Sequence, residues 1–404
     1  MHIFILQHGL CDTNSHYLGE AQGWRRAIQQ RGLTFELFIH RDATAEIIAQ
    51  SGGAPTFPYK PLMEIRHDPV SDELHGNLLF AEAFRRACAV LTDKVKADDL
   101  VIIPHATARE IYGVSGWLRT LSAERRPKTA FVFINPNLNW APKEDGSGVS
   151  GDFSFIRFAA NQMSEVAPKE RVIYCADNDR LATTMSDAMN QVCRHSPMTM
   201  DYETANTEQS SAPGTPPFPH AHIAVLGDTR LEKGSTIIVE IIQRYCEARP
   251  DQPVFLQVQN LEEAKRVGEA LRDCGNNGVQ LYAGRLSATA YHQRLETVDI
   301  LLLPYQQDRY VMRSSGIFAE AVAYGLVTVA PAGTWMADQL AAGWGAGETY
   351  SEPSVEAIAS ALVQASDNCA TLKEAATGRR EEWRRRQSTL ALLDHILSRA
   401  EPSA

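Results

Sequence analysis

The chain has 404 residues, more than a single hydrophobic core usually organises, so we expect two domains. Hydrophobic residues make up 44% and charged residues 22% of the sequence, and these globular values exclude disordered, collagen-like and membrane-embedded chains. A formal net charge of −10 disfavours binding to the phosphate backbone of nucleic acids, so we expect no nucleic-acid partner.

The cysteines and the amino terminus indicate the cellular compartment. The seven cysteines are scattered and never form a CxxC pair, which argues against a disulfide framework and a zinc site and favours a reducing cytoplasm. The amino terminus, MHIFILQHG, has a short apolar run without a basic stretch before it. No later run reaches the roughly 18–20 apolar residues of a membrane span. We therefore expect neither a targeting segment nor a membrane-spanning segment.

The first 200 residues alternate short apolar runs with stretches of helical period. Predicted strands at HIFIL, DDLVIIP, TAFVFIN and ERVIYCA alternate with predicted helices such as SHYLGEAQGWRRAIQQRG. Continuous apolar strands separated by helices indicate a parallel sheet that is covered on both faces. We predict an α/β, Rossmann-like domain over residues 1–200.

The remainder of the chain divides into three predicted parts. Residues 201–220 are rich in Pro, Ser and Thr and have no period, which predicts a linker. Strand–helix alternation restarts at AHIAVLG and predicts a second Rossmann-like domain over residues 221–375, and residues 376–404 are predicted to be a helical carboxy-terminal tail. The tail segment RREEWRRRQS mixes glutamates with its arginines, so a solvated helix face is a better interpretation than a membrane-surface patch.

The first chemical motif is the loop GDTRLEKG, which follows the predicted strand HIAVL and precedes a helix. Free backbone N–H groups, the helix dipole and the cations Arg230 and Lys233 would together form an anion pocket suited to a diphosphate. The alternative is that both cations are solvated loop charges, with Glu232 pairing one of them.

The second motif begins at Arg313-Ser314-Ser315-Gly316 and opens a largely apolar helix. Small residues at a helix start leave N–H groups free for an anion, and Glu320, about one turn further in, could accept hydrogen bonds from ribose hydroxyls. The alternative makes one of the serines an ordinary N-cap and Glu320 a surface residue.

These two motifs carry a resemblance to a known family. The runs GDTRLEKG, VDILLLPY and RSSGIFAEAVAYGLVTVAPAGTW resemble the carboxy-terminal donor domain of GT-B glycosyltransferases, most closely the retaining glycosyltransferase family 4, over residues 221–339. The resemblance implies an α/β fold of two doubly wound domains that face each other across a cleft. It also implies a donor that is a nucleotide-diphosphate sugar, UDP- or GDP-linked, with no cofactor and no metal.

The resemblance assigns roles to individual residues. It implies that Arg230 and Lys233 hold the donor diphosphate and, with Glu320, form the catalytic set, while Glu320 binds the ribose. The helix start of Ser314, Ser315 and Gly316 is implied to hold the phosphates as well.

The sequence departs from the family in two positions that bear on the chemistry. Met312 stands where the family has a second glutamate near the transferred sugar, so backbone N–H groups from Arg313 to Gly316 become the nearest candidates to hold that sugar. Asn135 stands where retaining relatives often have a histidine, and an amide offers a hydrogen bond but no proton transfer at neutral pH.

Further candidates lie after other predicted strands. Base recognition in such domains falls on the loop of Gly284, Arg285 and Leu286, although a plain turn is an equal alternative. In the first domain the loop after the first strand, which includes Gly9, is implied to approach the donor phosphates. The candidates for acceptor contact are His8, His16, His105 and Asn135.

We expect a hexosyltransferase-type glycosyltransferase that transfers a sugar with retention to a glycan, a lipid-linked or a small-molecule acceptor, in bacterial-type polysaccharide or glycoconjugate synthesis. The leaving diphosphate would be stabilised by cations and a helix amino terminus. One alternative is a catalytically silent, nucleotide-binding GT-B partner subunit, suggested by Met312 and Asn135. The other is a nucleotide-sugar epimerase of the GT-B type, which needs more acids near the sugar than these loops offer.

Overall fold

The computed structural model describes residues 1–12, 16–60, 73–134, 141–142, 149–150, 153–200, 221–227, 230–272 and 278–400. The chain divides into two compact units. The first comprises Met1–Asp201 and Gln387–Ala404, and the second comprises Tyr202–Arg386. The predicted linker, 201–220, lies outside the described residues.

Strands and helices are numbered here in chain order. The strands are β1 (His2–Gln7), β2 (Thr34–His40), β3 (Ala54–Phe57), β4 (Leu100–Ile103), β5 (Lys128–Phe133), β6 (Ala141–Pro142), β7 (Val149–Ser150), β8 (Val172–Ala176), β9 (Cys193–His195), β10 (Ala221–Val225), β11 (Val254–Val258), β12 (Val279–Ala283), β13 (Val298–Leu302), β14 (Val327–Pro331) and β15 (Ala346–Tyr350).

The helices alternate with these strands. They are α1 (Tyr17–Gln30), α2 (Ala45–Ser51), α3 (Glu73–Ala87), α4 (Ala108–Leu118), α5 (Ser154–Val166), α6 (Asp179–Met189), α7 (Ile238–Ala248), α8 (Leu261–Leu271), α9 (Ala288–Glu296), α10 (Gln307–Tyr310), α11 (Gly316–Tyr324), α12 (Trp335–Ala341), α13 (Val355–Asp367), α14 (Cys369–Gly378), α15 (Arg380–Arg386) and α16 (Thr389–Ala400). Short 3-10 turns lie at Cys88–Leu91, Ala123–Arg125, Lys169–Arg171 and Leu231–Lys233.

Each unit is built on one parallel sheet. The sheet of the first unit has the strand order β3-β2-β1-β4-β5-β8-β9, and that of the second has the order β12-β11-β10-β13-β14-β15. Strands β6 and β7 form a small antiparallel pair. In both sheets the first strand of the unit lies beside its fourth, so the direction of the crossovers reverses at that point. The α/β prediction of two doubly wound domains is therefore confirmed.

Burial explains why the central strands are continuous apolar runs. In β1 every residue from Ile3 to Gln7 is buried, and in β11 all five residues are buried, because helices cover both faces of a parallel sheet. Helix starts are set by local chemistry: Thr107 and Glu110 form a reciprocal capping box at α4.

The helices of the predicted tail, 376–404, are divided between the two units: α15 belongs to the second unit and α16 to the first. Trp383 of α15 is buried in the second unit, where its Nε1 donates to the carbonyl oxygen of Ala319 at 3.0 Å. Helix α16 belongs to the first unit and packs Leu393 and Ile396 into the same core as Trp24 of α1. Among the described residues, no helix combines the length and the apolar character that crossing a membrane requires.

We predict that Leu393→Ala destabilises the first unit by about 2–5 kcal/mol, because it leaves a cavity in a fully buried position of that core. Arg31→Ala is the matched control: it removes the exposed ion pair between Arg31 and Asp394 at the same helix, and a much smaller loss is expected. Hydrogen–deuterium exchange of peptides from α1 under increasing urea measures both. Equal losses would show that α16 is held by its surface contacts.

Candidate functional site

The candidate site of the second unit lies where its sheet changes crossover direction. Strands β10 and β13 pair in parallel at this point, with Ile223 opposite Ile300. Ligands of doubly wound sheets bind outside the carboxyl ends of the strands at such a reversal. Gly227 and Pro304 lie two residues beyond the ends of these strands, so the loop after β10, predicted as an anion pocket, stands at the expected place.

A buried glutamine holds two strand ends together. Gln257, near the end of β11, accepts a hydrogen bond from the backbone N–H of Gly227 at 2.9 Å and donates to the carbonyl oxygen of Gly284 at 2.9 Å. Both glycines have positive φ angles, 99° and 93°, which other residues adopt only with strain. The loops after β10 and β12 are therefore fixed relative to each other by one side chain.

Lys233 is directed towards the strand ends. The turn Leu231–Lys233 packs so closely on the sheet that a Cβ on Gly234 would lie 2.2 Å from the carbonyl oxygen of Pro304. The Lys233 Nζ lies 5.6 Å from the centroid of the Tyr305 ring, and a Cβ on Gly227 would approach that Nζ to 3.3 Å. The lysine cation thus lies over the glycine of the first motif.

Arg230 has a different environment. Its guanidinium forms an ion pair with Glu232 at 3.1 Å, and about half of its side chain is exposed. This is the pairing that the alternative interpretation of the loop described. Residues 228 and 229 of the motif lie outside the described residues.

A cavity opens at these strand ends. Its lining includes Gly227, Lys233, Gln257, Pro304 and Tyr305. The rest of the lining is apolar except for one serine, so the cavity combines one cation with an aromatic ring and apolar side chains. This composition suits a ligand with an anionic group and a flat or apolar part.

The helix of the second motif begins at Gly316. Ser315 is its N-cap, and the Ser315 hydroxyl accepts a hydrogen bond from the backbone N–H of Phe318 at 3.2 Å. The capping role that the alternative assigned to a serine is therefore present. A Cβ on Gly316 would meet no atom within 4 Å, so there is open space beside the start of α11. The first-turn N–H groups that Ser315 does not cap can receive an anion there.

Glu320 of α11 is hydrogen-bonded to a tyrosine of α9. Tyr291 of α9 donates its hydroxyl hydrogen to Glu320 Oε2 at 2.6 Å. Burial raises the pKa of Glu320 to about 7, although the hydrogen bond from Tyr291 and the charge of Lys233 lower it in part. Glu320 and Lys233 therefore act on each other electrostatically, which places the two predicted motifs at one site.

The remaining candidates of the second unit surround this centre. Met312 is buried, and burial lowers the pKa of Arg313. Arg285 is exposed and Leu286 is partly buried, after the strand that ends at Ala283.

In the first unit, His8 is enclosed by the core. It is fully buried, its Nε2 lies 3.0 Å from Glu110 Oε1, and its Nδ1 lies 3.3 Å from the carbonyl oxygen of Leu6. The ring also contacts Phe84 edge to face. His8 therefore presents no exposed atom to an acceptor, because Glu110 and the aromatic rings occupy its surroundings.

His16 and His105 meet at one carboxylate. Glu20 accepts from Gln7 Nε2 at 2.7 Å, His105 Nε2 lies 2.7 Å from Glu20 Oε2, and His16 Nε2 lies 3.5 Å from Glu20 Oε1. Burial opposes ionisation of Glu20, but attraction to His105 and His16 and the hydrogen bonds of His105 and Gln7 lower its pKa to about 2. Two of the four acceptor candidates are thus brought together.

Gly9 and Asn135 are the two other candidates of the first unit. A Cβ on Gly9 would lie 2.6 Å from the Tyr17 ring, so the close packing of this ring requires glycine at position 9. Asn135 lies outside the described residues.

Sequence reasoning missed the residues that orient the candidates. Gln257 is a polar residue near the end of an otherwise apolar strand, and Glu20 is four residues after His16 on a helix, and both signals are visible in the sequence. The hydrogen bond of Tyr291 with Glu320 has no comparable signal, because it joins residues of two different helices that are 29 positions apart in the sequence.

Comparison with solved structures identifies the fold. A glycosyltransferase from Rickettsia africae aligns with a TM-score of 0.65 at 11% identity, over 98% of this chain and 97% of that one. Anabaena HepE in complex with UDP and glucose aligns with a TM-score of 0.60 at 11% identity, over 98% of each chain. The amino-terminal domain of Candida albicans trehalose-6-phosphate phosphatase aligns with a TM-score of 0.67 at 13% identity, over 99% of this chain and 97% of that one.

The protein has the GT-B fold, as the sequence resemblance predicted. No family model and no curated protein matches the chain.

The raised pKa of Glu320 predicts a stability that falls as pH rises. The folded state binds the proton more tightly than the unfolded state, whose carboxyl pKa is 4.5. Stability is therefore lost between about pH 4.5 and 7, and the loss amounts to about 3 kcal/mol. Glu320→Gln should abolish this loss, and Tyr291→Phe should move its upper limit to higher pH. Calorimetry of the second unit across this range measures the effect, and identical pH profiles for the wild type and Glu320→Gln would contradict the assignment.

Proposed function

We propose that the protein is a glycosyltransferase whose donor, a nucleotide-diphosphate sugar, binds at the second unit. The observation that carries the proposal is the meeting of Lys233, the open first turn of α11 and Glu320 at the carboxyl ends of β10 and β13. Cation, free N–H groups and carboxylate match diphosphate and ribose in turn. The shared fold with HepE, which was solved with UDP and glucose, supports a UDP-linked donor. A GDP-linked donor is the other one that we propose.

The chemistry that we propose needs little covalent participation from the protein. As the bond from the sugar to the diphosphate breaks, negative charge develops on the departing phosphate oxygens. Lys233, Arg230 and the N–H groups of α11 stabilise that charge. The acceptor hydroxyl forms its bond to the anomeric carbon on the face from which the diphosphate departs, so the configuration is retained. Its proton passes to the departing phosphate oxygen, so the step that we propose needs neither an enzymic base nor a metal.

Glu320 is proposed to bind the ribose. As a carboxylate it accepts hydrogen bonds from two vicinal hydroxyls. Its pKa of about 7 means that nucleotide binding and release of the Glu320 proton occur together near neutral pH.

For the transferred sugar and the acceptor we propose chemical classes. The buried Met312 offers only a weak acceptor, so backbone N–H groups from Arg313 to Gly316 hold a hexosyl group. Base contacts fall to Gly284, Arg285 and Leu286. The acceptor is a glycan, a lipid-linked sugar or a small molecule of cytoplasmic polysaccharide or glycoconjugate synthesis.

A second candidate function is a silent subunit that binds nucleotide without turnover. Two observations favour it: Met312 stands where the family has its second glutamate, and Asn135 stands where retaining relatives often have a histidine. Fold alone does not fix activity. Both candidates share the nucleotide site and differ only in turnover.

We predict that Lys233→Ala weakens binding of nucleoside diphosphate roughly ten- to a hundredfold, because a charge-assisted hydrogen bond worth about 1.5–3 kcal/mol is lost. Binding of the matching nucleoside should change little. Arg230→Ala should have a smaller effect, since Arg230 must first leave Glu232. Isothermal titration at about pH 8.5 keeps Glu320 ionised in both proteins.

The matched control is Arg309→Ala, which removes an exposed cation 3.8 Å from Asp308 in α10. It should leave diphosphate affinity unchanged. If Lys233→Ala weakens nucleoside and diphosphate equally, or no more than Arg309→Ala does, Lys233 does not contact the phosphates.

Turnover separates the two candidate functions. We expect the wild type to release nucleoside diphosphate from at least one donor in a panel of UDP- and GDP-hexoses, offered with simple sugars and lipid-linked acceptors. Met312→Glu should not increase the rate, because it adds an unpaired charge beside the diphosphate. Saturable binding without product release across the panel would favour the silent subunit.

A further inference from the structure

A second cluster of ionisable side chains lies in the first unit, and the proposed transferase function gives it no role. It consists of His16, Glu20 and His105, which we call the His–Glu–His cluster. One ligand-type atom from each residue lies within 4.8 Å of the others. His105 follows β4, whose neighbour in the sheet is β1, so the cluster stands at the crossover reversal of the first sheet.

The backbone arranges the three side chains for convergence. The Glu20 N–H donates to the carbonyl oxygen of His16 at 3.0 Å, so the two residues are one helical turn apart and share a face of α1. His105 reaches the same carboxylate from the loop after β4 with a φ of 58°, a left-handed conformation that costs energy in a residue other than glycine.

The distances approach those of a tetrahedral zinc site. Zinc binds imidazole nitrogen and carboxylate oxygen at about 2.0–2.2 Å, which places neighbouring ligand atoms about 3.3 Å apart. His105 Nε2 lies 2.7 Å from Glu20 Oε2, and His16 Nε2 lies 3.5 Å from the other carboxylate oxygen, Oε1. One atom from each residue lies within 4.8 Å of the others, so the three groups must adjust towards the zinc spacing, and His16, with 64% of its side chain exposed, is the residue best able to turn.

The carboxylate also has the supporting contacts that metal ligands typically have. Gln7 Nε2 donates to Glu20 Oε2 at 2.7 Å, and Thr199 Oγ1 donates to Glu20 Oε1 at 3.2 Å. Gln7 lies in β1 and Thr199 lies near the end of the segment Met1–Asp201, so two separate parts of the unit hold the carboxylate without either histidine. Such outer contacts fix the orientation of a ligating group.

We propose that His16, Glu20 and His105 bind a zinc-class divalent cation, with the fourth position open on the exposed side of His16. Two imidazoles and one carboxylate are a donor set that zinc uses when it retains a position for water or substrate. The ion replaces the direct contacts of the two rings with Glu20. The expectation of no zinc site was based on cysteine spacing, and this site contains no cysteine. The proposal does not depend on the transferase function.

The test uses the full chain without a histidine tag, dialysed against a chelator and titrated with zinc chloride. We expect one ion per chain with a dissociation constant of about a micromolar or tighter, and at least about a hundredfold weakening by His16→Ala. Because His16 is exposed, this variant keeps the fold. Thr199→Val should weaken zinc about tenfold by loosening Glu20.

His195→Ala is the matched control. His195 lies in the same unit, 3.0 Å from Asp179, and is not a member of the His–Glu–His cluster. Its replacement should therefore leave zinc affinity unchanged. A cobalt-substituted sample should show the visible absorption of a four-coordinate ion, lost in His16→Ala. Absence of stoichiometric zinc binding, or equal affinity in the wild type and His16→Ala, would overturn the proposal.

Discussion

The structure depends on one constraint of parallel sheets: their strands all end at the same edge, and the crossovers must reverse direction at some pair of strands. In the first unit that pair is β1 and β4, and in the second it is β10 and β13. Helices cover the faces on both sides of the reversal and leave the strand ends accessible there. Both clusters of chemically capable residues described above follow these four strands.

In the second unit the same sheet edge also brings two charged side chains, Lys233 and Glu320, close enough to interact. Lys233 reaches the strand ends because Gly234 lets its turn approach Pro304, and its charge acts on Glu320 across the site. A partly buried carboxylate beside a lysine and a tyrosine, with its pKa raised to about 7, is close to half ionised at neutral pH. A ligand with phosphates for the lysine and hydroxyls for the carboxylate would complete both partnerships, which is the physical basis of the nucleotide assignment.

The fold could be predicted from the sequence because its signals are local. Apolar strands, helical periods and the two motif loops each occupy fewer than twenty residues, and the alternation alone indicates a doubly wound α/β protein. The partners of the site residues could not be predicted in this way. His8 has a polar loop after it and suggests an accessible side chain, yet Glu110, over a hundred residues later, encloses it in the core. A separation of 85 residues likewise conceals the link from His105 to Glu20.

The central claim is that a nucleoside diphosphate binds at the crossover reversal of the second unit. Hydrogen–deuterium exchange with saturating UDP or GDP tests it most directly, because protection is located along the chain whether or not turnover occurs. Binding at this site should slow exchange in peptides that span Gly227 to Ser235 and Arg313 to Glu320. Protection confined to other segments, or none with either nucleotide at saturating concentration, would contradict it.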